Sequence, residues 1–512
     1  MHLGLFRGFL IGVFFVLLAS AKDEACLRKC LQLAHVTSFF QGQQKFSNLS
    51  SPFNIRLPFT PAAIITAECT NQVAEAVKCA SGCGGFKVQA RSGGHSYASH
   101  SLGGQNGSII IDLAFLNQVE IKQDASADVG GGVRLGNLDR ALFDDGKRAI
   151  SHGTCAGIGF GGHSLHGGYG FESRLWGLSL DHIKSFEIVL ANGTVVNASS
   201  KMNNDLFWAV RGAGESFGVV TKFNIRTQAA PESLVYWSFN LSDVTRDTPM
   251  AVAALQHIQD FALNTTLQDR RLSWGWFLNQ TRLLVRGKFH GPLDEFNQRI
   301  APEILRGLPD LSDEFQTVRE VNWLQSQALH NHGTDEISKL AQPDKPGQYL
   351  LQRNFYAKSL TIAEPLTREA LTAYVTYAKE RRTKVKESFS WYSLVNLYGG
   401  PDSQINIYNG SWSSYGIRNT LWVFQSFGRV KLNDSFDNFL SEFIQGIDDA
   451  ITEKMPDTRF GGYANYIDPG LSATEAHRLY YGSSYNRLLS IKKAVDPKNI
   501  FSNPLAIGVE GY

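Results

Sequence analysis

Residues 151–171 read SHGTCAGIGFGGHSLHGGYGF, and eight of them are glycine. Because glycine has no side chain, this segment leaves backbone N–H groups free to approach a large, flat or anionic ligand closely. The same stretch holds one cysteine, Cys155, and three histidines, His152, His163 and His166. Reactive groups among so many glycines predict a ligand-binding loop at which chemistry takes place.

Three other interpretations of this segment are weaker. A flexible linker would be rich in glycine and serine and would lack the interleaved Ile, Phe, Leu and Tyr. A zinc site is disfavoured because no paired C-x-x-C follows the histidines, so we expect no metal. A nicotinamide-binding turn is disfavoured because no acidic residue follows at the required distance within a strand-turn-helix unit.

Length and composition limit the class of protein. A chain of 512 residues exceeds what one hydrophobic core normally serves, which predicts two lobes. The content of 43% hydrophobic and 19% charged residues is ordinary for a globular protein. A net charge of +2 gives no reason to expect nucleic acid or a membrane surface as a partner.

The first 21 residues have the pattern of a signal peptide. Arg7 precedes an apolar stretch over residues 9–18, and Ala19-Ser20-Ala21 resembles a cleavage site. Sequons for N-glycosylation agree with export. They lie at Asn48, Asn106, Asn192, Asn197, Asn240, Asn264, Asn279, Asn409 and Asn433. The sequence therefore predicts a secreted glycoprotein.

Six cysteines remain after export, and an oxidising compartment favours disulfides among them. They are Cys26, Cys30, Cys69, Cys79, Cys83 and Cys155. The first five lie near the N-terminus and cannot all pair with one another. Either Cys155 completes a third disulfide, which counting slightly favours, or it has another role and one N-terminal thiol stays free.

A second glycine turn precedes the first. Residues 69–80 have helical periodicity, residues 87–90 and 108–113 read as strands, and RSGGHSY lies between the strands at 91–97. A strand that enters a Gly-Gly turn beside Arg91 and Ser92 is a reasonable phosphate cradle, since backbone amides converge there and the arginine adds charge.

Four segments together carry a family resemblance. They are RSGGHSY at 91–97, the cysteine run at 151–171, DLFWAVRGAG at 205–214 and YYGSSYNRLLSIKKAVDPKNIF at 480–501. This sequence resembles the FAD-linked oxidases of the vanillyl-alcohol oxidase superfamily, and among them the berberine-bridge-enzyme-like proteins and fungal glucooligosaccharide and chitooligosaccharide oxidases. The resemblance covers the chain from about residue 26 to its end.

The resemblance implies a fold and a division into domains. We expect an α+β, two-lobed PCMH-type FAD-binding fold whose substrate domain is an antiparallel sheet covered by helices. The implied boundaries are a signal peptide at 1–21, the FAD-binding domain at 22–229 and the substrate domain at 230–470. Residues 471–512 would return to the FAD lobe.

The cofactor implied is FAD, bonded through His95 to its 8α carbon and through Cys155 to its C6 carbon. Tethering makes physical sense outside the cell, where free FAD is too scarce to rebind. The other cofactor-binding residues that we expect are Arg91, Ser92, Gly93, Gly94, Ser96, Tyr97, Gly157, Gly159, Gly161, Gly162, His163, Gly218 and Val220. The same likeness implies a Cys26–Cys79 disulfide and leaves the pairing of Cys30, Cys69 and Cys83 open.

Oxidation of an alcohol by flavin also needs a base for the hydroxyl proton. The resemblance implies Tyr466, in the segment GGYANYID at 461–468. In the sugar oxidases an aspartate helps this tyrosine, whereas Asn396 occupies the matching position here. Asparagine can orient a phenol but cannot accept its proton. This departure raises a question about the carbohydrate substrate.

A second departure concerns the electron acceptor. Ile158 matches a position where valine accompanies oxidase activity in the family, and an added methylene could hinder dioxygen, because close packing leaves little slack. We expect dioxygen as acceptor, a monomer, and an oligosaccharide substrate. The alternative is a tailoring oxidoreductase acting on a small natural product. A flavoprotein without turnover is disfavoured.

The second half of the chain is rich in tryptophan, whose faces could hold a ring-containing substrate. Taken singly, each is interpreted more readily as a core residue. The residues in question are Trp237, Trp274, Trp276, Trp323, Trp391 and Trp412.

Overall fold

The computed structural model describes residues 22–348, 352–382, 384, 386 and 388–510. The predicted signal peptide therefore lies outside the described residues. The described chain has the expected α+β fold, with a large antiparallel sheet covered by helices. The prediction of the fold class is confirmed.

The first lobe begins with a four-stranded sheet in the order β1-β2-β4-β3, in which β2, β4 and β3 run parallel. Its strands are β1 (Ser38–Phe40), β2 (Ala63–Thr66), β3 (Val88–Arg91) and β4 (Ile109–Asp112). Its helices are α1 (22–33), α2 (Gln44–Leu49) and α3 (Thr70–Gly82). All four residues of β4 are buried, which agrees with the near-continuous apolar run expected of a central parallel strand.

A five-stranded antiparallel sheet, ordered β5-β6-β10-β8-β9, and a small β7-β11 pair complete the first lobe. The strands are β5 (Val119–Ile121), β6 (Ser126–Gly130), β7 (Arg148–Ala149), β8 (Ile183–Val189), β9 (Val195–Ser199), β10 (Val219–Arg226) and β11 (Gln228–Ala229). The helices are α4 (Leu135–Gly146), α5 (Phe160–Leu165), α6 (Ser173–Trp176) and α7 (Asn204–Ala213).

The second lobe is built on a seven-stranded antiparallel sheet in the order β15-β12-β14-β13-β17-β18-β16. The strands are β12 (Leu234–Asn240), β13 (Leu272–Asn279), β14 (Leu283–Phe289), β15 (Gln316–Val321), β16 (Asn354–Ile362), β17 (Ser390–Leu397) and β18 (Trp422–Val430). The helices are α8 (Thr248–Ala262), α9 (Leu293–Glu295), α10 (Ala301–Leu305), α11 (Trp323–His332), α12 (Arg368–Arg382) and α13 (Asn438–Thr452).

The two faces of the large sheet have different environments, because successive side chains of a strand point to opposite sides. On one face, Trp237, Trp274, Trp276 and Trp391 are buried in a hydrophobic core shared with α8, α12 and α13. The residues between them point to the other face, towards the first lobe. That face carries polar and aromatic side chains and forms a wall of the site described below.

The C-terminal helices, α14 (Ala473–Tyr480) and α15 (Tyr485–Val495), lead the chain back to the first lobe. There α15 packs against α7. The ammonium of Lys492 donates to the carbonyl of Ser216 over 2.7 Å and pairs with Asp496, while Val88 N–H donates to the carbonyl of Ile500. These contacts attach the last segment to the strand that precedes the Gly-Gly turn.

The two disulfides join Cys26 to Cys83 and Cys30 to Cys79. The expected Cys26–Cys79 pair is therefore wrong. Cys26 and Cys30 lie one turn apart on α1, and Cys79 and Cys83 lie one turn apart at the C-terminal end of α3. Because Cys26 pairs with Cys83 and Cys30 with Cys79, the two helices run in opposite directions. Cys69 and Cys155 remain free thiols, so no third disulfide forms among the six cysteines, all of which the structure describes.

Arg174, on α6, joins the two lobes. Its buried guanidinium donates to four carbonyls of the second lobe, those of Asp269, Gly399 and Pro401 in loops and that of Leu272 at the start of β13. Burial lowers the pKa of Arg174 to about 10, which still leaves the side chain charged at neutral pH. Arg174 thus supplies hydrogen-bond donors to four backbone carbonyls of the second lobe.

Replacing Arg174 with methionine should lower the free energy of unfolding by about 3–5 kcal/mol, because buried carbonyls lose their donors. Denaturant titration monitored by tryptophan fluorescence measures this change. The matched control is Arg270→Met, which removes an exposed guanidinium paired with Asp402. It should cost no more than about 1 kcal/mol. Equal losses in both variants would contradict the role given to Arg174.

Candidate active site

A cavity of about 530 Å³ lies between the lobes. The two glycine turns of the first lobe form one wall, and the free face of the large sheet forms the opposite one. Residues 463–467, in the loop before α14, close the end. Loops that follow rigid strands therefore supply the predicted ligand-binding backbone on one side of the cavity. The large sheet supplies side chains on the other side.

The structure brings almost all predicted site residues together at this cavity. The residues that border it are Arg91, Ser92, Gly93, Gly94, His95, Ser96, Tyr97, Cys155, Gly159, Gly161, Gly162, His163, Gly218, Val220, Asn396 and Tyr466. Gly157 does not border it directly but lies against the imidazole of His95. Their roles stay predictions, whereas their common location is a structural fact.

The two glycine turns touch each other. A Cβ added at Gly93 would collide with the backbone nitrogen of Gly159, and the reverse holds as well. At Gly162, by contrast, an added Cβ would meet no atom within 4 Å and would project into open space at the cavity. The turns therefore form a shallow cradle whose backbone can lie directly against a ligand.

His95 presents an unsatisfied ring nitrogen at the cavity. Its imidazole stacks on Phe53 with the ring centroids 4.6 Å apart, and its buried Nε2 has no hydrogen-bond partner among the described residues. Burial, with smaller contributions from Arg134 and Arg353, lowers the pKa of His95 to about 3. The imidazole is therefore neutral, and a lone pair or N–H of this ring is left for a ligand.

Cys155 lies on the same wall with its thiol open to the cavity. Burial of the surrounding segment raises the pKa of the thiol, although the N–H groups of Gly157 and Ile158 oppose that shift. A reactive cysteine usually has a lowered pKa. Burial outweighs these N–H groups and the charges of Arg353 and Arg134, which also lower the pKa, so a bond to a ligand would depend on the electrophile brought to the thiol.

Arg91 differs from the expectation that its charge serves a phosphate. Its guanidinium is buried and donates twice to Asp112, at 2.8 and 3.0 Å, and once to the carbonyl of Leu49. The adjacent parallel strands β3 and β4 place the two side chains side by side. The ion pair with Asp112 thus fixes Arg91 at the base of the Gly-Gly turn. Because this pair neutralises the guanidinium, Arg91 adds no net positive charge to the cradle.

The histidines of residues 151–171 have separate partners. His152 does not border the cavity, and its Nε2 lies 2.9 Å from a carboxylate oxygen of Asp139. His163 accepts from Gly153 N–H, and burial lowers its pKa to about 3, so it is neutral. His166 pairs with Glu215 at 3.0 Å, a cavity residue that sequence reasoning missed. No group of three metal-ligating side chains occurs in the described part of the chain.

Tyr466 lies at the closed end of the cavity in an aromatic environment. Its ring is parallel to that of Tyr97, at 6.2 Å, and perpendicular to that of Tyr463, at 4.9 Å. Burial raises the pKa of Tyr466 well above its ordinary value, and neighbouring tyrosines raise it further. The resting side chain is therefore a neutral phenol.

Asn396 borders the cavity from β17, but its side chain does not contact that phenol through a hydrogen bond. Among the hydrogen bonds of the described residues, none joins Asn396 to Tyr466. The hypothesis that Asn396 orients the base is therefore unsupported by this geometry. What holds the Tyr466 loop is the preceding residue, Asn465, whose amide donates to the carbonyl of His163 and to the hydroxyl of Tyr463.

Tyr463 is a residue that sequence reasoning missed, although it lies in the quoted segment 461–468. Its buried hydroxyl accepts three hydrogen bonds, from Gly168 N–H, Tyr169 N–H and Asn465. It therefore ties the end of the cysteine run to the loop that carries Tyr466. A single sequence offers no signal for this link, because the partners lie almost 300 residues apart.

The tryptophans do not supply the aromatic lining. Trp237, Trp274, Trp276, Trp323 and Trp391 are buried in core clusters and do not border the cavity. Trp412, partly buried, stacks on Tyr408 and donates to Asp181. The aromatic residues that do border the cavity are Phe53, Tyr97, Tyr169, Phe171, Phe277, Tyr392, Phe427, Tyr463 and Tyr466.

Two known protein families match segments of this chain, one in the first lobe and one near the C-terminus. Residues 61–199 match the FAD-binding domain family, and residues 462–508 match the family described as berberine and berberine like. The first match includes both glycine turns, and the second includes Tyr463, Tyr466 and the helices that return to the first lobe. In the helices that the structure describes, no segment is long and apolar enough to cross a bilayer.

Named proteins are similar over nearly the whole chain. A chitooligosaccharide oxidase from Gibberella zeae is 32% identical, with 99% of each chain covered. The solved structure of a xylooligosaccharide oxidase from Myceliophthora thermophila in complex with xylobiose is 35% identical. It superimposes with a TM-score of 0.87 over 95% of this chain and 100% of that one.

A third solved structure is that of a glucooligosaccharide oxidase from Acremonium strictum with a 6-S-cysteinyl, 8α-N1-histidyl FAD. The identity is 30%, the TM-score is 0.85, and the match covers 95% of this chain and 100% of that chain.

Proposed function

We propose, for a chain that belongs to the berberine-bridge-like family of FAD-linked oxidoreductases, that it oxidises the anomeric hydroxyl of an oligosaccharide to a lactone and passes the electrons to dioxygen. The observation that carries the proposal is the cavity itself. One wall is a glycine cradle with His95 and Cys155, and Tyr466 lies at its closed end. The similar proteins named above act on oligosaccharides.

The residues present fit a covalently held flavin. His95 has a buried Nε2 without a partner, Cys155 presents a free thiol, and the bare backbone at Gly162 leaves room for a flat ring. We propose that His95 and Cys155 are the two attachment points, by analogy with the histidyl and cysteinyl FAD of the glucooligosaccharide oxidase. The flavin, when bound, accepts the hydride from the substrate carbon.

In this proposal Tyr466 takes the hydroxyl proton while the hydride leaves the carbon. An ordinary phenol, with a pKa of about 10, costs roughly 4 kcal/mol to ionise at neutral pH. The raised pKa of Tyr466 increases this cost. Only the phenolate form of Tyr466 can accept this proton, so the reactive fraction is small at neutral pH and grows as the pH rises. The parallel ring of Tyr97, fixed by a hydrogen bond from Gln425, holds Tyr466 in place.

A second candidate function rests on Asn396 and Ile158. Asparagine occupies the position where the sugar oxidases have a carboxylate, and isoleucine narrows the approach to the cavity beside Cys155. Both features favour a tailoring oxidoreductase for a small natural product over a sugar oxidase. The two candidates share the flavin cradle and differ in the substrate that the sheet wall receives.

Ile158→Val should raise the rate at which dioxygen reoxidises the reduced flavin several-fold, while substrate reduction changes little. Ile158 borders the cavity and is partly buried against the first-lobe core, so the deleted methyl opens space on that side. Stopped-flow mixing of reduced enzyme with oxygenated buffer measures the rate. Ile150→Val, which shortens a buried core isoleucine away from the cavity, is the control. Equal oxygen rates in wild type and Ile158→Val would remove the gating argument.

We further propose that the protein is secreted and monomeric. Two disulfides suit an oxidising compartment. None of the nine sequon asparagines is buried, and Asn48, Asn106, Asn192, Asn197, Asn409 and Asn433 are exposed. Mobility on a gel before and after enzymatic deglycosylation tests the sequons, and light scattering tests the monomer.

The proposed function is tested by a substrate screen with two readouts. Xylo-, cello- and chitooligosaccharides are assayed for peroxide release in air, and for dye reduction under argon. Peroxide release supports an oligosaccharide oxidase. Dye reduction without peroxide release would support an oligosaccharide substrate and show that the electron acceptor is not dioxygen. Failure of every oligosaccharide in both assays would overturn the proposal.

A further inference from the structure

Two arginines border the cavity, and neither has a carboxylate partner among the residues that the structure describes. Arg286 points into it from β14, and Arg353 lies at its edge immediately before β16. Among the ion pairs of the described residues, none involves either guanidinium. Two other buried cations of the site region, Arg91 and Lys288, are paired with acids.

Arg286 is partly buried and borders the cavity. Its strand is an inner one, and Arg286 lies in register with Ser238 on β12 and Gly275 on β13. Its Nε is buried without a hydrogen-bond partner. Two positions along β14, Lys288 is bound to Glu172 at 2.6 Å, so that carboxylate already has a cation partner.

An aromatic ladder connects the two arginines. Phe277, Tyr392 and Phe427 stack in turn on the sheet face, with centroid distances of 5.3 and 5.0 Å. The guanidinium of Arg286 lies 5.9 Å from the ring of Phe277. Arg286 and Arg353 both lie close enough to Tyr392 to act electrostatically on its hydroxyl. Because these rings stack on one another, and Phe427 stacks on Phe355 as well at 4.8 Å, the ladder offers mainly ring edges to the cavity, close to both arginines.

An unpaired guanidinium in a cavity is costly, because burial removes its water without supplying a counter-charge. Burial accordingly lowers the pKa of Arg286, although arginine remains protonated at any physiological pH. A planar fork of N–H donors left open beside an apolar row of rings matches a carboxylate on a ring-containing ligand. A neutral sugar would leave the charge uncompensated.

We propose that the substrate of this enzyme carries a carboxylate, which Arg286 binds with help from Arg353 while a ring of the substrate packs against the edges of Phe277, Tyr392 and Phe427. Within the proposed function, on which this rests, the substrate is an acidic oligosaccharide with a uronic acid unit away from the oxidised end. The same chemistry would suit an aromatic carboxylic acid bearing an alcohol.

The test measures binding and turnover with ligands that differ in charge alone. The oligosaccharide arm compares xylotriose carrying a glucuronic acid branch with its methyl ester. The aromatic arm compares 4-(hydroxymethyl)benzoate with its methyl ester. Dissociation constants come from perturbation of the flavin spectrum in the holoenzyme, and kcat/KM comes from anaerobic dye reduction.

We expect the acid to exceed its ester about tenfold to a hundredfold in affinity and in kcat/KM in one arm. Arg286→Gln should bring that ratio close to one, and Arg286→Lys should leave an intermediate ratio, because it keeps the charge and loses the fork. Arg319→Gln is the control, since it removes an exposed cation of the same sheet that is paired with Asp335. Its ratio should match that of the wild type.

The outcomes separate this inference from the proposed function. A charge preference that depends on Arg286 in the aromatic arm alone would refute the oligosaccharide substrate and support the carboxylate site. Turnover of sugars with no preference for the acid would support the proposed function and overturn the site. A preference that persists in Arg286→Gln, or no binding of either acid, would overturn the site as well.

Discussion

Tyr466→Phe should slow reduction of the flavin by substrate about a hundredfold to ten-thousandfold, while the flavin spectrum and the fold stay unchanged. The substitution keeps the ring that packs against Tyr97 and Tyr463 and removes only the hydroxyl. Because burial raises the pKa of Tyr466, the wild-type rate should increase towards alkaline pH. That increase should vanish in the variant. Anaerobic stopped-flow spectroscopy measures both effects.

The matched control for this substitution is Tyr377→Phe. Tyr377 is on α12, on the far side of the large sheet, and packs against Phe443. Its loss of a hydroxyl should leave flavin reduction within about twofold of the wild type, as expected for a surface change. An unchanged reduction rate in Tyr466→Phe would mean that the proton leaves by another route, and the role of this residue would be withdrawn.

Asn396→Asp then discriminates between the two substrate classes. In a sugar oxidase with a weakened base, the restored carboxylate should move the rate profile to lower pH and increase carbohydrate turnover. In a natural-product pocket, the new buried charge would lack its matching group and should reduce activity on the true substrate. Rates for both substrate classes at several pH values decide the matter.

Replacing both His95 and Cys155 with alanine should release the flavin completely when the protein is denatured. In the wild type, the yellow chromophore should stay with the denatured chain. Either single variant should retain it through the remaining bond and bind it less firmly. Absorbance of the protein and of the filtrate after denaturation and ultrafiltration measures the fraction released.

Cys69→Ala provides the control for the loss of a thiol. Cys69 is free and exposed before α3, does not border the cavity, and should leave flavin retention unchanged. Retention of the chromophore by the denatured double variant would refute both attachment points. Release from one single variant would leave only the other residue as the tether.

The elements near the glycine turns could be predicted from the sequence. The strand expected at 87–90 is Val88–Arg91, that at 108–113 is Ile109–Asp112, and the helix expected at 69–80 is Thr70–Gly82. These segments have clear periodicity and end at glycine or polar residues, so local preferences and the tertiary structure agree. The clustering of His95, Cys155 and Tyr466 followed from the family resemblance and not from periodicity.

Pairings between distant residues could not be predicted in the same way. The disulfides depend on the relative direction of α1 and α3, which composition does not encode. The charge of Arg91 goes to Asp112 because two strands are adjacent and parallel, a fact of topology. The unpaired charge of Arg286 is visible only when all surrounding side chains are known. Sequence spacing reports none of these contacts.

Anaerobic reduction of the flavin by an oligosaccharide tests the central claim most directly. The holoenzyme is mixed under argon with xylotriose, with its glucuronic acid derivative, and with the alditol of each, in which the anomeric carbon has been reduced. The account predicts that the flavin is bleached by a sugar with a free reducing end and not by the matching alditol. Bleaching by sugar and alditol alike, or by neither while a small aromatic alcohol reduces the flavin, would contradict it.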